Sequence, residues 1–335
     1  MKSMKFNGLM IGTAMVATLV GSTATLADGL QCEDGETYVM NVMVSGHPYW
    51  VPVYEGFRQA AAAFGCETTF SGTPQYDIAM QIASFEQDLI RQPSGILLHP
   101  MQADPFIGPI NSAIDSGTEI VTFAADSPQS NRTAYITSDN LAEARFAAEE
   151  IVEQVGDSAQ YAVLENPGQP NHDLRVTALI AYMEEHFPNM ELVGRQATNQ
   201  DTNAAYRATA SILQANPELA AMWIPEASSA EGAVTAVLEA NADVLIMHAD
   251  VTPTTLEHIR AGNIHMSLNP NQGVQGFMGF MALHLAARSE IFDPFNDWQV
   301  SGFNPMQIPF MDNGFAVITA ENADSFDLNV YMEGR

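Results

Sequence analysis

The chain has 335 residues, 40 of them acidic and 12 basic, for a formal charge of −28 with 47% hydrophobic residues. Its length exceeds one typical domain and suits two lobes. The charge excludes nucleic acid and anionic membrane surfaces as partners, because both require clustered lysine and arginine.

Residues 1–27 read as a secretory signal. Lys2 and Lys5 are followed by an apolar run from Leu9 to Val20, with Thr25 and Ala27 at the −3 and −1 positions before Asp28. The run is short for a membrane span, and no later segment reaches about 18 uninterrupted apolar residues. Gly29-Leu30-Gln31 before Cys32 makes a poor lipobox, so a periplasmic, soluble protein is expected. From Asp28 onward there is no lysine, and loss of the signal lowers the charge from −28 to −30. That charge favours solubility in salty surroundings; recognition of a basic partner is the sharper alternative. Cys32 precedes the first predicted strand and Cys66 opens the second, at the same end of neighbouring parallel strands. Export places them in an oxidising compartment, so a disulfide is expected, stabilising by roughly 3–4 kcal/mol on the chain-entropy view.

Tyr38 to Val44 is an apolar strand ending at Ser45-Gly46-His47-Pro48. A helix starts near Pro52 with Val53, Phe57, Ala60 and Phe64 as its stripe, stopped by Gly65. Strand Glu67–Phe70, a helix through Ile78, Ile82, Phe85 and Leu89, strand Ile96–Leu98, a helix through Ile107, Ile110 and Ile114, and strand Glu119–Phe123 follow. A second series begins after Thr137-Ser138-Asp139-Asn140. It has helices at 141–155, 174–187, 202–215, 229–240 and 254–261, and strands at 161–164, 191–195, 221–224, 244–247 and 264–268. Helix 273–289, a loop at 293–298 and strand 315–318 close the chain. Apolar strands alternating with amphipathic helices predict α/β architecture: two similar doubly wound parallel-sheet lobes with a ligand cleft between them. No low-complexity linker separates the series, which favours several short crossings.

In open α/β sheets, ligands bind beyond the carboxyl ends of strands. Those positions hold His47, Tyr49, Trp50, His99 and Asp126 in the first series, and Asn171, His172, Asp173, Gln200, Glu226, Asp250 and Asn269 in the second. Carboxylates, amides and imidazoles match sugar hydroxyls, and flat rings cover sugar C–H faces. The mixture points to a neutral polyhydroxylated ligand, with affinity that depends on pH if an imidazole must be neutral to accept a proton.

Five segments carry a family resemblance: Gly46-His47-Pro48-Tyr49-Trp50-Val51, Gly95-Ile96-Leu97-Leu98-His99-Pro100, Ile136-Thr137-Ser138-Asp139-Asn140, Asn171-His172-Asp173-Leu174-Arg175 and His248-Ala249-Asp250-Val251-Thr252-Pro253. In this order they resemble the type I periplasmic sugar-binding proteins, which include ribose-, xylose- and rhamnose-type receptors and the autoinducer-2 receptor. The resemblance implies lobes of 28–138 plus 270–300 and 139–269 plus 301–335, three hinge crossings, and delivery of ligand to the membrane subunits of an ABC importer. It places His47 and His99 at common asparagines, Tyr49 and Trp50 at stacking aromatics, Glu226 at an asparagine or aspartate, Asp250 at the ligand aspartate and Asn269 at a glutamine. Two departures stand out. Asp126 follows Ala124-Ala125 where relatives place aspartate directly after the Thr-Phe pair. Asp173 falls at a ligand arginine of the ribose type, which implies a pocket without guanidinium donors and argues against ribose and against anions. Arg175 reads as a structural ion-pair partner, and Asp139-Asn140 as hinge and helix cap.

Gly273, Gly276 and Gly279 have the wrong spacing for a nucleotide loop and suit close helix packing. No metal-binding histidine pair and no nucleophile elbow is present, so no cofactor, metal or reaction is expected. A monomeric importer component is the main reading. A sensory receptor of the same fold, presenting a sugar or autoinducer to a kinase or chemoreceptor, is the alternative. A secreted hydrolase pairing Asp173 with Asp250 is a further one, lacking a marked proton donor. The secretory signal and the missing basic helix-turn-helix exclude a transcriptional repressor.

Overall fold

The computed structural model describes residues 29–288 and 307–327. The signal at 1–27 and the loop at 293–298 lie outside the described residues. In chain order the first lobe contains β1 (Thr37–Val42), α1 (Trp50–Ala63), β2 (Glu67–Gly72), α2 (Ile78–Leu89), β3 (Gly95–Leu98), α3 (Ile107–Asp115), β4 (Glu119–Phe123) and β5 (Ala134–Thr137). The second contains α4 (Asn140–Val155), β6 (Gln160–Glu165), α5 (Pro170–His186), β7 (Glu191–Ala197), α6 (Thr202–Ala215), β8 (Leu219–Ile224), α7 (Ala227–Ala240), β9 (Leu245–Ala249), α8 (Pro253–Arg260) and β10 (Met266–Pro270). The chain then returns through α9 (Gln272–Ala286), β11 (Ile308–Asp312) and β12 (Phe315–Ile318).

The two sheets repeat one order, β11-β5-β4-β3-β1-β2 and β12-β10-β9-β8-β6-β7. Every pairing is parallel except that of β12 with β10. Helices cover both faces of each sheet. In the first lobe Phe57 of α1 and Phe280 of α9 pack against Tyr38 and Met40, while Phe85 and Ile110 pack against Val39 and Ile96 on the other face. The cores of the second lobe centre on Trp223 and Leu179, and on Ile246, Val234 and Ile259. Short polar side chains start the helices by accepting orphan N–H groups: Asp77 for α2, Asp139 for α4, Asp201 for α6 and Thr252 for α8. Asp139 is thus a cap, as its sequence position implies.

The chain passes between lobes three times, at 137–140, 270–272 and 312–315. β5 and β11 have no counterpart in the sequence-based expectations. β5 is only four residues long, and β11 is an edge strand containing Pro309 with a register shift. Because β11 pairs with β5, the last crossing falls after Asp312, not near 301. Cys32 and Cys66 are disulfide-bonded, with Cα atoms 5.1 Å apart.

Helices α1 and α9 meet at backbone distance. A Cβ on Gly56 would lie 1.9 Å from the Gly273 carbonyl oxygen, and one on Gly276 would lie 1.8 Å from that of Val53. This close approach accounts for Gly276, while Gly279 leaves room for the Leu97 side chain of β3, 2.6 Å from where its Cβ would lie. Gly276→Ala must push the two helices apart, and we expect a loss of at least about 2 kcal/mol in chemical denaturation. Gly108→Ala in α3, with nothing within 4 Å of the new methyl, is expected to be neutral or to stabilise by at most about 1 kcal/mol.

Candidate functional site

In each sheet the strand order reverses between the first strand and its two neighbours, at β1/β3 and at β6/β8. Such switch points leave a crevice beyond the strand ends. The two crevices face each other and enclose a cavity of about 210 Å³. Of the twelve expected site residues, His47, Tyr49, Trp50, His99, Asn171, His172, Gln200, Glu226 and Asp250 line it.

The first lobe supplies an aromatic wall. Trp50 anchors it, donating from Nε1 to the Val44 carbonyl at 3.1 Å. Its ring meets those of Tyr49, His99 and Phe123 edge-on, with centroids 5.0, 4.9 and 5.8 Å away. Edge-to-face contact is the favoured geometry for such rings and fixes the wall without ligand. Tyr49 Oη donates to Gln275 at 3.2 Å, and Gln275 reaches Asn313 at the last crossing. His47 Nδ1 accepts the Tyr49 backbone N–H at 3.2 Å. Burial lowers the pKa of His47 and takes that of His99 down to about 4. Both imidazoles are therefore neutral at physiological pH.

The second lobe supplies the charged wall. Helix α5 begins at Pro170, so Asn171, His172 and Arg175 share one face and point into the cavity, while Asp173, about 200° around from Asn171, faces away. Arg175 Nε donates to the fully buried Glu143 at 2.7 Å, and Nη1 donates to the Pro225 carbonyl at 3.0 Å and reaches Asp250 at 3.4 Å. Glu143 also accepts from Ser138 and Asn140 at the first crossing. Arg175 is thus an ion-pair partner and a cavity group at once, and the expectation of a pocket without guanidinium is corrected. The pKa of Asp250 is pushed up to about 7, mainly by burial, with Arg175 opposing and Glu143 and Glu226 adding to the rise. Glu226 caps α7 through the Ser228 and Ser229 N–H groups at 2.6 and 2.8 Å, and burial still raises its pKa.

Of the seven non-glycine residues with positive φ among the described residues, five line the cavity: Val44, Ala124, Asn199, Gln200 and Asp250. All follow strand ends. A β-branched residue such as Val44, at φ 42°, pays most for this conformation. Strain of this kind persists only where surrounding structure enforces it, and it concentrates at functional sites.

Three expected residues lie outside the cavity. Asp126 is held by Arg132 through two bonds of 2.6 and 2.7 Å and by Thr122, because Ala124 takes the left-handed turn and presents itself to the cavity instead. Asp173 accepts from the Gly168 N–H, so the carboxylate pair of the hydrolase reading is not assembled. On β10, alternation turns Asn269 away and Pro270 in; Asn269 borders a second groove with Gln272. Tyr76, Gln169, Asn199 and Thr137 line the cavity without having been expected. Thr137 ends β5, Asn199 adjoins Gln200, and Tyr76 follows β2 in a loop that the strand-end rule covers. Gln169 joins the lobes at the mouth, accepting from Gln200 at 2.8 Å and lying 3.3 Å from Met43 Sδ.

Comparison with known proteins places this geometry among relatives. Residues 38–291 match the family model described as a periplasmic binding protein domain. The ribose import binding protein of Haemophilus influenzae is 22% identical over 256 residues, covering 76% of this chain and 87% of its own. The arabinose-binding protein of Geobacillus stearothermophilus superposes with a TM-score of 0.79 at 25% identity, covering 87% of this chain and 99% of that one. The sugar-binding protein of a sugar ABC transporter from Bacillus halodurans gives a TM-score of 0.81 at 28% identity, covering 87% and 100%.

A raised pKa means that the folded state holds the Asp250 proton more tightly than the unfolded chain, whose carboxyl titrates near 3.8. Stability from this group is complete below that value and is lost as pH climbs to about 7. Asp250→Asn removes this loss. Its melting temperature, without ligand, should rise relative to the parent protein between pH 5 and 7 and level off above. Histidines whose pKa values are lowered act in the opposite sense but are common to both proteins, so the difference isolates Asp250. A gap independent of pH would contradict the assignment.

Proposed function

The chain belongs to the periplasmic binding protein domain family, and from that premise we propose that it captures a neutral sugar or polyol in the cleft and hands it to the membrane subunits of an ABC importer. The observation that carries this reading is a cavity with an aromatic wall from one lobe and hydrogen-bonding groups from both, at the carboxyl ends of two facing parallel sheets. Rings of Tyr49 and Trp50 cover a sugar face. Asp250 accepts hydroxyl protons, and Arg175, His47 and His172 donate to sugar oxygens. One guanidinium is paired with both Glu143 and Asp250, which leaves no positive charge for an anionic ligand.

Closure follows from the division of these groups. Neither lobe alone surrounds the ligand, so a bound sugar favours the state in which both walls touch it, by its differential affinity for that state. Three short crossings allow the lobes to rotate without breaking either sheet. The proposed role involves binding and release only, in the periplasm, as a monomer.

A thermal-shift panel of pentoses, hexoses, deoxysugars, polyols and autoinducer-2 tests the reading. A ligand at about a hundred times its Kd should add about 2.7 kcal/mol, a shift of several degrees. Silence across the panel would refute a sugar ligand. For the sugar found, affinity should rise from pH 6 to 8 as Asp250 ionises, and Asp250→Asn should bind at least about tenfold more weakly, without that slope. His99, with a pKa of about 4, and His172, held well below the usual range, are neutral here, so loss of the slope in Asp250→Asn assigns the pH dependence to Asp250 rather than to a histidine.

A further inference from the structure

Asn166 lies just past β6, is buried, and does not line the cavity. Its side chain nevertheless sits under two groups that do. Oδ1 accepts the Gln200 backbone N–H at 2.8 Å and the Thr198 hydroxyl at 3.0 Å. Nδ2 lies 3.2 Å from His172 Nδ1. A backbone N–H can only donate, which fixes the oxygen end of the amide and so leaves the nitrogen at the other end. The amide therefore has one orientation, and its N–H points at His172 Nδ1.

We propose that Asn166 is a positioning residue for ligand recognition: it makes Nδ1 of His172 an acceptor and so places the imidazole proton on Nε2, as a donor to a ligand oxygen in the cavity. The ring is held neutral by its surroundings. Burial, Arg175 on its own helix and His99 across the cleft all keep its pKa well below the usual range, and the Glu226 carboxylate is engaged by the Ser228 and Ser229 N–H groups. His172 Nε2 has no protein partner among the described residues. His47, from the opposite lobe, is set the same way, because its Nδ1 accepts the Tyr49 N–H. The cavity therefore presents an imidazole N–H from each wall, and its ligand must offer oxygen acceptors to both. The ligand half of this inference rests on the sugar-binding reading, whereas the tautomer half does not.

Asn166→Asp is nearly isosteric and reverses the logic. A carboxylate accepts from Nδ1–H, so the neutral ring must expose a bare Nε2, and only the protonated ring keeps the donor. The first measurement is the imidazole nitrogen and proton spectrum of the ligand-free protein labelled at histidine, with His172 assigned by its loss in His172→Gln. The parent protein should show the Nε2–H tautomer; a Nδ1–H or charged ring would overturn the proposal without any variant having to fold. The second is affinity for the sugar found by the panel. Asn166→Asp should bind about tenfold or more weakly at pH 8 and recover towards pH 6, so the ratio of parent to variant affinity grows with pH. A ratio constant with pH would show a merely structural role and overturn the proposal. If no sugar binds the parent protein, the sugar reading fails while the spectrum still decides the tautomer.

Discussion

A buried chain of charge, Glu143 to Arg175 to Asp250, sets the terms for the cleft. The Arg175 and Glu143 side chains are 2% and 0% exposed, and such a pair is no bargain in stability, since desolvation offsets most of the attraction. Breaking it is another matter, because a lone buried charge costs about 3–5 kcal/mol. Its placement gives it meaning. Glu143 holds Ser138 and Asn140 where the chain first crosses between lobes, and Arg175 extends from that anchor to the carboxyl group that faces the ligand. The hinge and the charged wall are one hydrogen-bonded body. On the opposite wall, Tyr49 reaches Asn313 at the last crossing through Gln275, so each face of the cleft is tied to a hinge segment.

The alternation of strands and helices was legible because apolar periodicity is local. Helix 202–215 has the ends it was given, and Gly276 and Gly279 of the glycine series have close-packed partners in α1 and β3. β5 and β11 escaped notice because a four-residue strand and a proline-bearing edge strand leave little pattern. The strand-end rule located nine cavity residues but carries no information on side-chain direction. That is where Asp126, Asp173 and Asn269 went astray: a left-handed alanine, an early helix start and strand alternation each turned a carboxylate or amide away. Asn166 and Glu143 were invisible for a related reason. They act through a neighbour, and nothing in spacing marks a buried acid or amide as the support of another residue's geometry.

The left-handed residues show how the fold makes room for a ligand. Regular strands would continue past their last paired residue and fill the crevice. Turning sharply at Val44, Ala124, Asn199-Gln200 and Asp250 lifts the backbone off the strand axis and leaves space between the sheets. The same turns aim small or polar groups at that space. The tendency of strained backbone to gather at functional sites here has a geometric cause, since the cavity and the strain are produced by the same bends.

The order in which the lobes are completed along the chain bears on how the protein assembles. Helix α9 and strand β11 finish the first lobe, yet in sequence they follow all of the second except its edge strand β12. A chain emerging amino end first, from a ribosome or a translocation pore, therefore offers β1 and β3 with their apolar face still lacking Phe280 and Leu283. The second lobe, nearly contiguous from α4 to β10, can condense before the first is whole. Cys32 and Cys66 both emerge early, so oxidation can pin β1 beside β2 while the lobe waits. The amino-terminal half thus waits for a late segment of chain, and its unfinished face is the surface most in need of a chaperone.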